Sequence, residues 1–321
     1  MRFQPRSLAA LALTIVVAAG CASSSHRSPS SSAPSSTGAA AGVRVSGGFG
    51  SKPAVTVPDQ PAPTSLGKQV LVQGSGATVA KGDTLIANYS GQTWAPKDGK
   101  VNVFDSSFDR GHPAAFQIGV GSVIPGWDKA LVGQKIGTRL LLTVPPTDGY
   151  GSTGQSSANI SGTDTLVFVV DVVGSYAPNA SAASRAVAKL PTSDFPRLTN
   201  PSGHQPAILS TAGVHAPKKA IATLVATGSG AAISSAKSLV LQIVQTDIAT
   251  GKKTASSWGK APQVVTAQSV LGIAPVLSGQ KVGSRVVVLA PAIAATAATA
   301  SQAAQPASPA QVLIVDVVGQ F

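Results

Sequence analysis

The sequence predicts an α+β protein made of two similar units, each a mostly antiparallel sheet packed on a short helix. Three observations carry that prediction. The first is a repeat with a period of roughly 150 residues, too long for a solenoid and suited to domain duplication. Gly74-Ser75-Gly76 recurs as Gly228-Ser229-Gly230, and Gly133-Gln134-Lys135-Ile136-Gly137 recurs as Gly279-Gln280-Lys281-Val282-Gly283, with Arg139 and Arg285 in step. Asp171-Val172-Val173-Gly174 returns as Asp316-Val317-Val318-Gly319, and upstream Pro53-Ala54-Val55 returns as Pro206-Ala207-Ile208. The second observation is a density of short β-branched runs at 70–73, 84–89, 139–144 and 165–173, bounded by Gly, Asp and Pro. The third is the scarcity of helix. Only 127–132, entered after Pro125-Gly126 and closed by Gly133, reads as one, which argues against βαβ units.

The N-terminus has a different character. Arg2 and Arg6 precede an uncharged apolar run over 8–19, and Ala18-Ala19-Gly20 leads into Cys21. A basic start, an apolar middle and small residues at the cut make 1–20 a secretory signal. The run is short for a bilayer span, which takes about 20 apolar residues. It resembles a bacterial lipoprotein signal, although Ala18 stands where a larger aliphatic residue is commoner. That resemblance implies that Cys21 becomes the lipid-modified first residue of a chain anchored to the outer face of the cell membrane. Cleavage without lipid is the alternative and would leave the protein secreted. Cys21 is the single cysteine, so it has no internal disulfide partner. Residues 21–46 read as a disordered Ser/Ala/Pro-rich tether. The first domain with its leader is expected over 47–176, a linker over 177–199, and the second unit with its leader over 200–321.

Of the 321 residues, 43% are hydrophobic, enough to build cores and to exclude wholesale disorder. Aromatics are only 4%, so those cores are mainly aliphatic. The net charge of +12 invites a nucleic-acid reading, but its distribution does not support one. Residues 68–176 hold eight basic and eight acidic side chains, whereas 218–321 hold eight basic against Asp247 and Asp316. No dense basic stripe is interleaved with aromatics, so no nucleic-acid partner is expected. The basic excess suits solubility and an anionic envelope. His26, His112, His204 and His215 are scattered without metal-ligand spacing, and no phosphate-binding glycine motif precedes a helix. Neither a metal nor a cofactor is expected.

The first unit carries a run of motifs in one order. Asn88-Tyr89-Ser90-Gly91 is followed by Phe104-Asp105-Ser106-Ser107 and Phe108-Asp109-Arg110-Gly111. Then come Gly121-Ser122-Val123-Ile124-Pro125-Gly126-Trp127, Gly149-Tyr150-Gly151 and Thr165-Leu166-Val167-Phe168. From about Lys68 to Tyr176 the chain resembles an FKBP-type (immunophilin) peptidyl-prolyl cis-trans isomerase. The resemblance implies a curved antiparallel sheet wrapped around the short helix, with a shallow apolar pocket between them. Trp127 would form the floor and Tyr89, Phe104, Val123, Ile124 and Phe168 the walls. The backbone N–H of Ile124 and the hydroxyl of Tyr150 would meet carbonyls of an Xaa-Pro segment. Asp105 would sit at the rim with Arg110 as its ionic partner, Phe116 would support that rim, and Ile160 would overhang the site. There are two departures from the family pattern: Ala114 replaces an aromatic wall residue, and the loop after Tyr150 lacks a frequent His. The implied partners are proline-containing polypeptides and a macrolide inhibitor.

Such a pocket is chemically adequate. Rotation about an Xaa-Pro amide meets a barrier of ~18–20 kcal/mol because it breaks resonance, but no bond breaks and no proton moves. An apolar hole disfavours the polarised planar amide relative to the twisted one, and a few donors hold the flanking backbone. A non-catalytic lipoprotein that holds peptides or an envelope partner is the alternative function. The second unit is expected to keep the scaffold and lose the chemistry. Alignment puts Ile243 at the position of Tyr89, Thr254-Ala255-Ser256-Ser257 at Phe104-Asp105-Ser106-Ser107, and Leu313 at Phe168. Ser269-Val270-Leu271-Gly272-Ile273 offers no tryptophan, and Thr296 falls near Tyr150. Nine aromatics lie in 68–176 but only Trp258 and Phe321 in 218–321.

Overall fold

A computed structural model describes residues 42–182, 194–199, 205–266, 277, 279–295 and 307–321. The signal, Cys21, most of the tether, residues 183–193 of the linker, the 269–273 segment and Thr296 lie outside the described residues.

The first unit opens with an antiparallel hairpin of β1 (Arg44–Ser46) and β2 (Ala54–Thr56). The main sheet is built from β3 (Gly67–Val72), β4 (Thr84–Thr93), β5 (Val103–Ser106), β6 (Ala114–Gln117), β7 (Arg139–Val144) and β8 (Leu166–Tyr176). Between them lie α1 (Ser107–Arg110) and α2 (Pro125–Leu131). The order is β3-β7-β8-β4-β5, with β6 also on β4, and every pairing is antiparallel. The ten-residue β4 carries two partners in turn. Its first half pairs with β6 and its second half with β5, so the chain from 103 to 117 doubles back around α1. The Ser106 hydroxyl caps α1 by accepting from the Asp109 N–H, and Gly111 ends it in the left-handed region.

Side-chain alternation gives the sheet two buried faces. Leu140, Leu142, Val144, Phe168, Val170 and Val172 pack toward α2 with Trp127, Ala130 and Leu131. Leu141, Val167 and Val169 point the other way, under Val43, Val45 and Trp94. Strands covered on both sides read as continuous apolar runs, which is why 139–144 and 165–173 are so conspicuous in the sequence. The cover begins earlier than expected. Val43 and Val45 are buried and β1 ends at Ser46, so the boundary at 46/47 is corrected: the end of the supposed tether is the first strand of the leader.

The second unit repeats this plan. β9 (Arg197–Thr199) and β10 (Ala207–Ser210) form its leader hairpin. Its sheet comprises β11 (Ile221–Ala226), β12 (Ser238–Asp247), β13 (Lys253–Ser256), β14 (Gln263–Thr266), β15 (Arg285–Ala290) and β16 (Gln311–Gln320). The order β11-β15-β16-β12-β13, with β14 on β12, matches the first unit strand for strand. Even the irregularities recur. The shift between Ile86 and Ala87 has its counterpart between Val240 and Leu241, and that between Val70 and Val72 between Leu224 and Ala226. The linker reading at 177–199 is corrected at both ends. β9 falls inside it, and the Pro178 carbonyl accepts from Gln242 Nε2 at 2.7 Å and from the Gly259 N–H at 3.1 Å.

The repeated Arg and Asp explain how the first leader is held. Arg139 and Asp171 face each other across β7 and β8, and neither is accessible to solvent. Arg139 donates from Nε to Asp171 Oδ1 at 2.6 Å and from Nη2 to Oδ2 at 2.8 Å. Its remaining donors reach the Gly47 carbonyl at 2.6 Å and the Ser51 carbonyl at 2.7 Å, while the Gly50 N–H donates to Asp171 Oδ2 at 2.7 Å. The pair therefore sits at the bottom of the hairpin loop and binds three of its backbone groups. Arg285 and Asp316 repeat the bidentate geometry at 2.5 and 2.7 Å, and the Ala182 N–H takes the place of Gly50, 2.8 Å from Asp316 Oδ2.

Candidate active site

Trp127 occupies the first turn of α2 and is the centre of an aromatic cluster. Its ring meets Tyr89 at 5.2 Å, Phe116 at 5.0 Å and Phe168 at 5.4 Å between centroids, each edge to face. Phe168 meets Phe104 at 5.5 Å in the same manner, and Tyr89 meets Phe116 at 5.6 Å. These contacts pair ring edges with ring faces and are worth about 0.5–1.5 kcal/mol each beyond burial. The rings enclose a cavity of about 490 Å³ lined by Tyr89, Phe104, Asp105, Phe116, Val123, Ile124, Trp127, Tyr150 and Phe168, together with Gly121, Ser122, Pro125 and Gly149. Trp127 Nε1 is buried and has no hydrogen-bond partner among the described residues, leaving a donor at the cavity floor.

Two supports for this cluster escaped the sequence reading. Gly91 lies on β4 opposite Phe168, where an added Cβ would approach Phe168 Cε1 to 2.6 Å and Phe104 Cζ to 2.8 Å. Its missing side chain is what admits the Phe104–Phe168 pair. Asp128 latches the loop before α2, its carboxylate accepting from the N–H groups of Gly119 at 2.6 Å and Gly121 at 2.7 Å. Both glycines have φ of +79°, a region that costs side-chained residues more. The latch holds Val123 and Ile124 at the mouth. The Ile124 carbonyl starts α2 by accepting from the Trp127 N–H, and its own N–H donates to no group among the described residues.

At the opposite wall, Asp105, Arg110 and Tyr89 form a closed triangle. Arg110 Nη1 pairs with Asp105 Oδ1, the Tyr89 hydroxyl donates to Asp105 Oδ2 at 2.5 Å, and Arg110 Nη2 donates to the Tyr89 oxygen at 2.9 Å. The guanidinium also lies 5.5 Å from the Tyr89 ring centre. Arg110 does not line the cavity; it acts through Asp105 and Tyr89. Burial and the bond to Asp105 push the Tyr89 phenol up to about 12, with Arg110 acting in the opposite direction. Tyr150 is also raised, by burial first and by Asp105 second, and its hydroxyl has no bond among the described residues. Its loop is tied to α2 by Lys129 Nζ and Asp148 Oδ1 at 2.5 Å.

Burial raises Tyr176 as well, so all three tyrosines of the chain lie above the ordinary phenol value. A spectroscopic titration at pH 10 should therefore find less than half of the phenol ionised. A phenol raised by folding contributes stability that is present below its unfolded value near 10 and lost as pH rises toward the folded one. For Tyr89 that window is about 10 to 12. Half-ionisation of the native protein at pH 10 would contradict the triangle.

Ile160 departs from its expected place. It is 4% exposed, belongs to the core beneath the sheet, and does not line the cavity. Paired N–H···O bonds between Gln155 and Ile160, at 2.8 and 3.1 Å, fold that loop inward, and Asn102 Nδ2 holds its tip by the carbonyls of Ala158 and Asn159. The overhang read at Ile160 is thus corrected to a core contact. Ala114 does not line the cavity either; it lies partly buried against the core and borders a separate cleft with His112, Lys237 and Val265.

The second unit keeps the frame without these rings. Ser107 Oγ accepts from the Tyr89 N–H and donates to Asn88 Oδ1, and Ser257 Oγ does the same with the Ile243 N–H and Gln242 Oε1. This bond pair puts Ile243 at the position of Tyr89 and, by register, Thr254 and Ala255 at those of Phe104 and Asp105. Leu313, three residues before Asp316, holds the place of Phe168.

Comparison with known proteins agrees with the geometry of the first unit. The family described as FKBP-type peptidyl-prolyl cis-trans isomerase matches residues 76–173. An FK506-binding protein of Streptomyces anulatus is 35% identical over 122 residues, covering 38% of this chain and 95% of that protein. Peptidyl-prolyl cis-trans isomerase FKBP15-1 of Arabidopsis thaliana is 42% identical over 109 residues, 34% of this chain and 65% of that protein. The crystal structure of AtFKBP13 is 34% identical, with a TM-score of 0.30, and covers 35% of this chain and 94% of its own. Sequence match, motif order and the ring cluster converge on one conclusion: the chain belongs to the FKBP-type peptidyl-prolyl cis-trans isomerase family.

Proposed function

We propose that the first unit catalyses cis/trans isomerisation of Xaa-Pro bonds in exported polypeptides. The observation that carries this reading is an aromatic cavity floored by Trp127, whose lining includes the Ile124 N–H and the Tyr150 hydroxyl, donors with no partner among the described residues. A prolyl ring entering it leaves water for aromatic faces. The planar amide, with charge separated between oxygen and nitrogen, loses more solvation there than the twisted amide does, so the barrier falls. The donors hold the carbonyls on either side while the bond rotates. Accelerating rotation a million-fold needs only about 8 kcal/mol of differential stabilisation, and no acid, base or nucleophile is required. A macrolide of the kind named in the FK506-binding relatives would occupy the same cavity.

The test is magnetisation exchange on an Xaa-Pro peptide with the full chain, where interconversion above the spontaneous rate is expected. A rate equal to the spontaneous one overturns the reading and leaves a peptide-binding module. The location belongs to the same proposal. The basic and apolar start followed by Cys21 supports export and lipid anchoring, and the described leader begins soon after it. Cys21→Ser should move the protein from the membrane fraction to the soluble one when bacterial membranes are washed at high salt. Retention of that variant in membranes at high salt would exclude Cys21 as the covalent anchor.

A further inference from the structure

We propose that the second unit carries a docking surface for an anionic lipid bilayer at one end of its sheet. The observation is a coincidence of exposed lysines and exposed aliphatic side chains. All seven lysines of 218–321 are exposed, and none has a carboxylate partner among the described residues. The buried Arg285–Asp316 pair cancels internally, so the surface of this unit carries the basic excess.

Register shows where four of the seven gather. Ile221 pairs with Leu289, Ala290 with Gln311, Gln311 with Asp247, and Thr246 with Lys253. The start of β11, the end of β15, the start of β16, the end of β12 and the start of β13 therefore share one end. Lys218 and Lys219 immediately precede β11, and Lys252 and Lys253 lie at the turn from β12 to β13. Arg197 joins them, because it pairs with Ser210 at the open end of the leader hairpin, whose continuation 211–216 meets Ile248, Ala249, Pro309 and Ala310 there. The carboxylates on that side are Asp194 and Asp247, and Asp247 accepts from the Thr250 N–H, so cations exceed anions.

The same end holds the three large aliphatic residues that this unit exposes among the described residues. Leu209 is 61%, Ile221 43% and Ile293 37% accessible. Ile293 extends the β15–β16 ladder by a bridge to Ser308, beyond Ala290 and Gln311. A soluble polyanion would satisfy lysines but gains nothing from protruding leucine and isoleucine. A bilayer rich in anionic headgroups satisfies both, attracting the charges and admitting the side chains to the acyl boundary. Lysine also suits a laterally mobile field of phosphates, which asks for point charges rather than a fixed bidentate fork. The cavity of the first unit takes no part, so this inference stands or falls independently of its catalysis.

The test compares vesicles of phosphatidylcholine with vesicles of phosphatidylcholine and phosphatidylglycerol, using the full chain carrying Cys21→Ser. Partitioning should be stronger on the anionic vesicles and should weaken with salt. Lys218→Gln/Lys219→Gln/Lys252→Gln/Lys253→Gln should lower it at least ~tenfold, since each basic residue at such a surface contributes roughly fivefold. Leu209→Ser/Ile293→Ser should lower the partitioning that survives at raised salt. Unchanged thermal melting of both variants would assign the losses to the surface. Equal partitioning on the two vesicle types, or unchanged partitioning of either variant, overturns the proposal. So does binding to soluble polyphosphate or nucleic acid without partitioning onto vesicles.

Discussion

Arg139→Met should destabilise the first unit by about 3–5 kcal/mol, the range for stripping one partner from a buried ion pair. The loss arises less from the missing attraction than from what stays behind. Asp171 would remain inaccessible to water, with the Gly50 N–H as its remaining donor among the described residues, and the Gly47 and Ser51 carbonyls would lose their charged donor. The leader should loosen with it, exposing Leu141, Val167 and Val169 on the outer face of the sheet. Urea unfolding followed at the Trp94 indole, which bonds to the Gln60 carbonyl under the leader at 2.9 Å, reads both effects. Arg139→Met/Asp171→Leu should recover part of the stability, because no unpaired charge remains buried. Loss of less than about 1 kcal/mol in the single variant would show that water reaches the pair.

Phe104→Ala and Asp105→Val should each lower kcat/KM for an Xaa-Pro peptide at least ~tenfold, about 1.4 kcal/mol of transition-state stabilisation. Phe104 is the wall that packs edge to face on Phe168, and its loss opens the dry side of the cavity to water. Asp105 fixes the Tyr89 hydroxyl and the Arg110 guanidinium together; valine keeps its shape and removes the acceptor. Because Asp105 and Arg110 are about 40% exposed, the ion pair itself contributes little to stability, and the fold should survive. The second unit should not make good the loss in the full-length variants, since it presents Ile243, Thr254, Ala255 and Leu313 where the rings and carboxylate would be. Undiminished activity in both variants would place the chemistry elsewhere.

Most of the architecture was legible in the sequence because the signals are local or repeated. β-Branched runs between Gly, Asp and Pro marked the strands of the first unit, and Pro125, Gly126 and Gly133 bracketed α2 within a residue or two. The short strands β5 and β6 were not read, since four residues around a one-turn helix carry too little periodicity. The cavity lining was legible through the order of its motifs, and Ser107 and Ser257 tie the two units' frames together in a way the alignment anticipated.

By itself, then, the sequence determined the duplication, the β-branched strands, the aromatic set and the absence of that set from the second unit, all of which are properties of composition and spacing. Tertiary structure alone decided which residues complete the site and what holds it. Gly91 is meaningful only because Phe168 lies across from it, 77 positions later by their numbering, and Asp128 only because the chain turns back to Gly119 and Gly121. Ile160 went inward because its loop satisfies its own backbone bonds, and Arg139 found Asp171 because β7 and β8 align in one register. Lys218-Lys219 and Lys252-Lys253 lie far apart along the chain and meet at one end only when the strands are paired. Contacts set by register depend on the whole hydrogen-bonded ladder, and no local pattern encodes them.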